Sequence, residues 1–102
     1  MKVKNKVLLK KEIAQAEKRF STWVLNTKGT HFSKTFLFKD HIDALVFIAR
    51  VTVHAQILNH HPEIVFTFKK VHITVFSTEV KALTTLDIDL IKQIEMLKTG
   101  DK

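Results

Sequence analysis

Asn59-His60-His61-Pro62 is the point at which this chain has to change its geometry. Before it, apolar residues recur every three or four positions; after it, they recur every second one. Pro62 disfavours the α conformation for the residue before it, so His61 is pushed toward an extended backbone. A helix ends here and a strand begins, with His60 closing the last turn. Free carbonyls and the helix dipole favour positive charge at such an end. Imidazole titrates near neutrality, so two imidazoles diverging from this corner suit proton transfer. The residue types alone also allow a plain helix cap with two solvated rings.

The elements on either side follow from the same periodicities. Leu9, Ile13, Ala16 and Phe20 recur at helical spacing and predict a helix over about Lys10 to Arg19. Trp23-Val24-Leu25, the turn Asn26-Thr27-Lys28-Gly29-Thr30 and the alternating run Phe32, Lys34, Phe36, Phe38 predict a hairpin. Asp40 stands where an N-cap belongs, with Asp43 three residues on. The helix that follows, His41 to about Asn59, carries Ile42, Leu45, Val46, Ala49, Val53 and Ile57 as its apolar stripe. Phe47, Ile48, Val51 and Leu58 widen that stripe beyond what one sheet face needs. Beyond Pro62, Ile64, Phe66 and Phe68, then Val71, Ile73 and Val75, predict two strands joined near Lys69-Lys70. Thr84 and Asp87 resemble a capping box before a last helix with the stripe Leu90, Ile91, Ile94, Leu97, and Gly100 fits a position just past its end. The order α-β-β-α-β-β-α with an antiparallel sheet is an α+β domain spanning residues 1–102. Both sheet faces are partly apolar, which predicts association through the second face or an edge.

Composition narrows the function. With 45% apolar residues, eight Phe, two Gly and one Pro, the chain has the makings of a packed core. It has no cysteine, which excludes disulfides, thiolate metal sites and cysteine nucleophiles and fits a reducing, cytoplasmic setting. The basic N-terminus has no apolar run long enough for a signal peptide, and no stretch reads as a membrane span. Net charge is +7, but the basic residues are scattered apart from Lys2 to Lys11 and Lys69-Lys70. They read as a solubilising surface with a frayed basic start, so nucleic acid is not the expected partner. Adjacent histidines cannot readily chelate one ion and His72 is the only nearby third candidate, so no metal is expected.

Nearly the whole chain resembles the pterin-4a-carbinolamine dehydratases. The resemblance is carried by Trp23, by Phe36-Leu37-Phe38-Lys39-Asp40, by His60-His61-Pro62-Glu63, by Val71-His72-Ile73-Thr74, and by Leu83-Thr84 with Asp87-Ile88. It implies a four-stranded antiparallel sheet with helices on one face, assembled as homodimers or homotetramers. It also implies dehydration of 4a-hydroxytetrahydrobiopterin to quinonoid dihydrobiopterin, a step of tetrahydrobiopterin recycling that needs no metal or redox cofactor. In vertebrates the same proteins double as dimerisation cofactors of a homeodomain transcription factor, which implies a protein partner as the alternative role.

On this resemblance His60 and His61 are the catalytic pair, while Gln56, Asn59, Pro62, Ser77, Thr78 and Glu79 contact the substrate. Phe66 or Phe68, or the backbone near Ser77, would stack and hydrogen-bond the pterin. Several positions depart from the family pattern. Thr78 replaces a third histidine, Gln56 a carboxylate, Asn59 a frequent Asp, Ile64 a frequent Trp and Ala82 a common Gly. Threonine exchanges no proton near neutral pH, and an amide lends an imidazole no counter-charge. The implied activity is therefore lower than usual.

Overall fold

The structure, a computed structural model, describes residues 5–100. Its elements are α1 (Lys10–Arg19), β1 (Val24–Leu25), β2 (Phe32–Leu37), α2 (His41–Leu58), β3 (Glu63–Thr67), β4 (Lys70–Val75) and α3 (Thr85–Gly100). The strands form one antiparallel sheet in the order β1-β2-β4-β3. Both neighbours of β4 run antiparallel to it, so β2 and β3 point the same way and α2 supplies the long crossover that parallel strands require. This is the α+β architecture that the periodicities predict.

One face of the sheet builds the core. Phe32 and Phe36 on β2 and Val71, Ile73 and Val75 on β4 are buried, while Thr35, Lys70, His72 and Thr74 lie on the opposite face at partial or full exposure. Ala44, Phe47, Val51 and Ala55 of α2 and Leu90, Ile91 and Ile94 of α3 cover the apolar face, and Ala16 of α1 with Phe20, just past its end, closes its rim. Phe47 sits between two rings, 4.9 Å from Phe36 and 5.1 Å from Phe38. At the far edge Trp23 Nε1 and Lys34 Nζ both donate to Glu95 Oε2, at 2.8 and 2.7 Å, tying the first hairpin to α3.

The sequence reading of α2 chooses the wrong face. Ile42, Leu45, Val46, Val53 and Ile57, the expected core stripe, are exposed, Ile57 by 72%. The residues that seemed surplus, Phe47 and Val51, are fully buried instead. The helix is apolar nearly all round, so periodicity alone does not choose a face. Packing does: Ala44 and Ala55 let the helix approach the sheet, and Phe47 fills the space between them. The expectation that no segment reads as a membrane span also needs amending, because the 18 residues of α2 have a mean hydropathy of 1.3. By length and composition alone such a helix could cross a bilayer; in this fold it is the central helix over the sheet.

Other corrections are local. The β3–β4 turn falls at Phe68-Lys69, one residue earlier than expected, with Thr67 paired to Lys70 and Phe68 at φ 51°. Of the basic start, residues 1–4 lie outside the described residues, and from Asn5 onward it is docked: Leu8 N–H donates to Leu83 O at 2.9 Å, and Thr85 N–H to Lys6 O at 2.9 Å. Gly100 is the last residue of α3 and not the one beyond it.

Candidate functional site

α2 ends in a way that presents both histidines. Asn59 takes the left-handed conformation, φ 54° and ψ 43°, which asparagine tolerates better than most residues. His60 N–H then bonds Ala55 O at 2.9 Å and Asn59 N–H bonds Gln56 O at 3.1 Å, a Schellman closure. His60 thus does close the last turn. Pro62 follows and hands the chain to β3, so the two imidazoles leave the corner in different directions.

His60 turns inward. Its Nε2 lies 2.5 Å from Oδ1 of Asp87, a fully buried carboxylate in the first turn of α3. A carboxylate can only accept here, so Nε2 carries the hydrogen and donates it. The other oxygen, Oδ2, accepts from Ser77 Oγ at 2.7 Å, Thr84 N–H at 2.8 Å and Thr84 Oγ1 at 3.3 Å. Asp87 is therefore both the capping residue that the sequence indicates and a holder for an imidazole 27 positions away. An unpaired buried carboxylate would be costly; four donors and the positive end of α3 make this one tolerable. Among the described residues no buried side-chain nitrogen or oxygen lacks a partner.

His61 turns outward and is exposed. Its Nε2 lies 2.9 Å from Gln56 Oε1. With the amide oxygen accepting, Nε2 carries the hydrogen and Nδ1 keeps a lone pair. An amide can rotate to serve the other tautomer, so Gln56 orients the ring without fixing its protonation as a carboxylate would.

Both rings open on one cavity of about 640 Å³, within the usual range for a small-molecule site. Asn59, His60, His61, Ser77, Thr78 and Glu79 all line it, from the α2–β3 corner on one side and the segment after β4 on the other. Gln56 reaches it only through His61, and Pro62 is not in its wall. Phe66 and Phe68, the expected stacking rings, are elsewhere: they stack on His41, at 5.0 and 5.9 Å. The phenylalanine among the residues lining the cavity is Phe76. Asn5 also lines the cavity, its Oδ1 accepting from Leu86 N–H at 3.3 Å. Sequence reasoning missed Asp87 and Phe76 as site residues. The first carries a capping signature that conceals its second oxygen, and the second continues an alternation that reads as strand. Among the described residues no three His, Asp or Glu side chains gather as a metal-ligand set.

These features define a class: a helix-over-sheet α+β protein with an imidazole pair, one ring anchored by a buried carboxylate and one held by an amide, at the mouth of a small-molecule cavity. A sequence model of the pterin 4 alpha carbinolamine dehydratase family matches residues 6–97, and the chain belongs to that family. A protein of Sulfurisphaera tokodaii named "Putative pterin-4-alpha-carbinolamine dehydratase" is 35% identical over 94 residues, covering 92% of this chain and 99% of its own. One of Nostoc punctiforme with the same name is 33% identical, covering 90% and 97%. Among solved structures, a transcriptional coactivator/pterin dehydratase from Brucella melitensis superposes with a TM-score of 0.84 at 25% identity, over 90% of this chain and 98% of its own. A pterin dehydratase-like RuBisCO assembly factor of the alpha-carboxysome shares the fold, with a TM-score of 0.63 at 18% identity over 74% of this chain and 88% of its own.

Proposed function

We propose that this protein dehydrates a 4a-hydroxytetrahydropterin to the quinonoid dihydropterin, with His60 and His61 as the acid–base pair. The observation that carries the reading is the division of labour between the two rings: His60 held by Asp87, His61 held only by the amide of Gln56, both on one cavity. The reaction breaks the C4a–O bond and the N5–H bond and forms the C4a=N5 double bond from the N5–H electrons. Hydroxide leaves with one added proton, as water, and no electrons are gained or lost.

An acid at the leaving oxygen and a base at N5 are what this needs. His60 supplies the acid: an imidazolium there has the Asp87 carboxylate as counter-charge on Nε2, leaving Nδ1–H to donate. His61 supplies the base: its Nε2–H is engaged by Gln56, so the Nδ1 lone pair takes the N5 proton. Ser77, Thr78 and Glu79 provide polar contacts on the opposite wall, and Asn59 near the histidines. Thr78 is exposed in the wall and can hydrogen-bond but not exchange a proton, which keeps turnover modest. The setting in which this chemistry operates is the cytoplasm. The test is turnover by purified protein: accelerated loss of the 4a-hydroxytetrahydropterin, abolished in His61→Ala. Absence of acceleration at high protein concentration removes the enzyme reading.

A second reading, an interaction module of weakened activity, is favoured by one observation. The exposed residues Ile42, Leu45, Val46, Val53 and Ile57 make a continuous apolar face on α2. Such a face on a folded chain marks an interface, and its spacings of three and four suit a second copy of the same helix, giving a homodimer or homotetramer. Full dehydratase activity in a protein that recovers only itself from a lysate counts against a separate protein partner.

A further inference from the structure

No step of the dehydration uses Phe76, yet it is among the residues lining the cavity that both histidines line. The eight phenylalanines divide by place. Phe20, Phe32, Phe36 and Phe47 are core, Phe38 packs on Phe47, and Phe66 and Phe68 stack on His41. That leaves Phe76, half-buried just past the end of β4.

Its position follows from register. Phe32 pairs with Val75 and Ser33 with Thr74, so one step further places His31 opposite Phe76 on the face away from the helices. The two rings are stacked, with centroids 4.5 Å apart and planes 27° from parallel. His31 is itself immobilised. Thr30 Oγ1 and Asn26 Nδ2 lie 2.7 and 3.2 Å from its Nδ1, and Asn26 Oδ1 accepts from the backbone N–H of Thr30 and His31 at 2.8 and 3.0 Å. The ring is also tied to the acid–base pair. Ser77, the next residue, donates to one oxygen of Asp87 while His60 donates to the other. A single buried carboxylate thus sets the spacing between the reacting imidazole and the segment that carries Phe76.

We propose that Phe76, buttressed by His31, is the surface on which a flat heteroaromatic ligand stacks, and that this stacking positions the ligand's edge against His60 and His61. The proposal rests on the pterin reading of the site and adds the residue that selects for a planar ring system. Apolar side chains could fill the same wall, but only an aromatic face offers a planar ligand both dispersion and a matched quadrupole. Phe76 is then a positioning residue, felt in binding more than in the chemical step.

The test is titration with 7,8-dihydrobiopterin, a planar pterin lacking the 4a-hydroxyl, followed by fluorescence, on wild type, Phe76→Leu, Phe76→Trp and His31→Leu. Stacking strengths of bases on aromatic side chains translate into a Kd about 10- to 100-fold weaker in Phe76→Leu. Phe76→Trp should restore affinity to within about 3-fold of wild type, and His31→Leu should weaken it by less than Phe76→Leu. In turnover, Phe76→Leu should raise KM by a larger factor than it lowers kcat. Unchanged affinity in Phe76→Leu overturns the stacking proposal while leaving the pterin reading intact. Equal losses in Phe76→Leu and Phe76→Trp overturn it too, since a tryptophan keeps the aromatic face. A wild-type protein that binds no pterin removes the reading and the proposal together.

Discussion

Asp87 shows how much one side chain can be asked to do. Its Oδ2 caps α3 and gathers Ser77 and Thr84, and its Oδ1 holds His60, so helix start, cavity wall and the His60 imidazole share one buried carboxylate. Asp87→Asn keeps the size but puts an amide that cannot accept through both ends where donors converge. Loss of about 10²-fold or more in kcat is expected from the misplaced proton on His60, together with about 1–3 kcal/mol of stability from the unsatisfied donors. Turnover and urea unfolding measure the two; an Asp87→Asn protein with wild-type kcat would detach Asp87 from the chemistry. Thr78 makes the complementary case. It lines the cavity without touching the His60–Asp87 network, so Thr78→Ala should change turnover little, while Thr78→His should raise it by adding an imidazole to the open wall. A large loss in Thr78→Ala with no gain in Thr78→His would contradict the assignment. Asn59 belongs to the backbone as much as to the cavity: at φ 54°, Asn59→Gly should be tolerated, and Asn59→Ala should cost about 1 kcal/mol in unfolding free energy.

At the scale of elements, what the sequence announces depends on whether the signal is local. The hairpin turn at Gly29, the cap of Asp40, whose side chain accepts from Asp43 N–H at 2.8 Å, and the break at Pro62 are all legible, because each is set by a few neighbouring residues. Periodicity likewise finds every helix and strand. It does not settle which side of α2 meets the sheet, because Ile, Val and Phe occur all round that helix and the choice is made by packing against β2, β4 and α3, outside the helix itself. For the same reason His60 and His61 are legible as a candidate site, while their partners are not equally so. Gln56 is one helical turn away; Asp87 and Phe76 reach the site only through tertiary packing. The reversed α2 face gives a direct prediction. Phe47→Ala should cost about 3–5 kcal/mol, as expected for a buried aromatic, whereas Val53→Ala should change monomer stability by less than about 0.5 kcal/mol. Thermal or denaturant unfolding at low protein concentration distinguishes the two faces; equal costs would restore the face that periodicity favours.

For the whole molecule, the sheet has one face covered by helices and α2 has one face left over. A chain with this much exposed apolar helix should not remain alone. Self-association through Ile42, Val46, Val53 and their neighbours is expected by light scattering, and Val46→Glu with Val53→Glu should return a monomer by placing charges in the seam. A wild-type protein that is strictly monomeric at tens of micromolar would count against the α2 interface. The catalytic account is a separate matter, because the His60–Asp87 and His61–Gln56 pairs are complete within one chain. Its central claim is that this pair of imidazoles, with threonine in place of a third, still moves two protons on a pterin. The most direct measurement is the stopped-flow rate of loss of a 4a-hydroxytetrahydropterin generated in place, with and without the protein. The account predicts a rate that rises in proportion to protein concentration and falls to the spontaneous value in His61→Ala; a spontaneous rate unchanged by excess wild-type protein would contradict it.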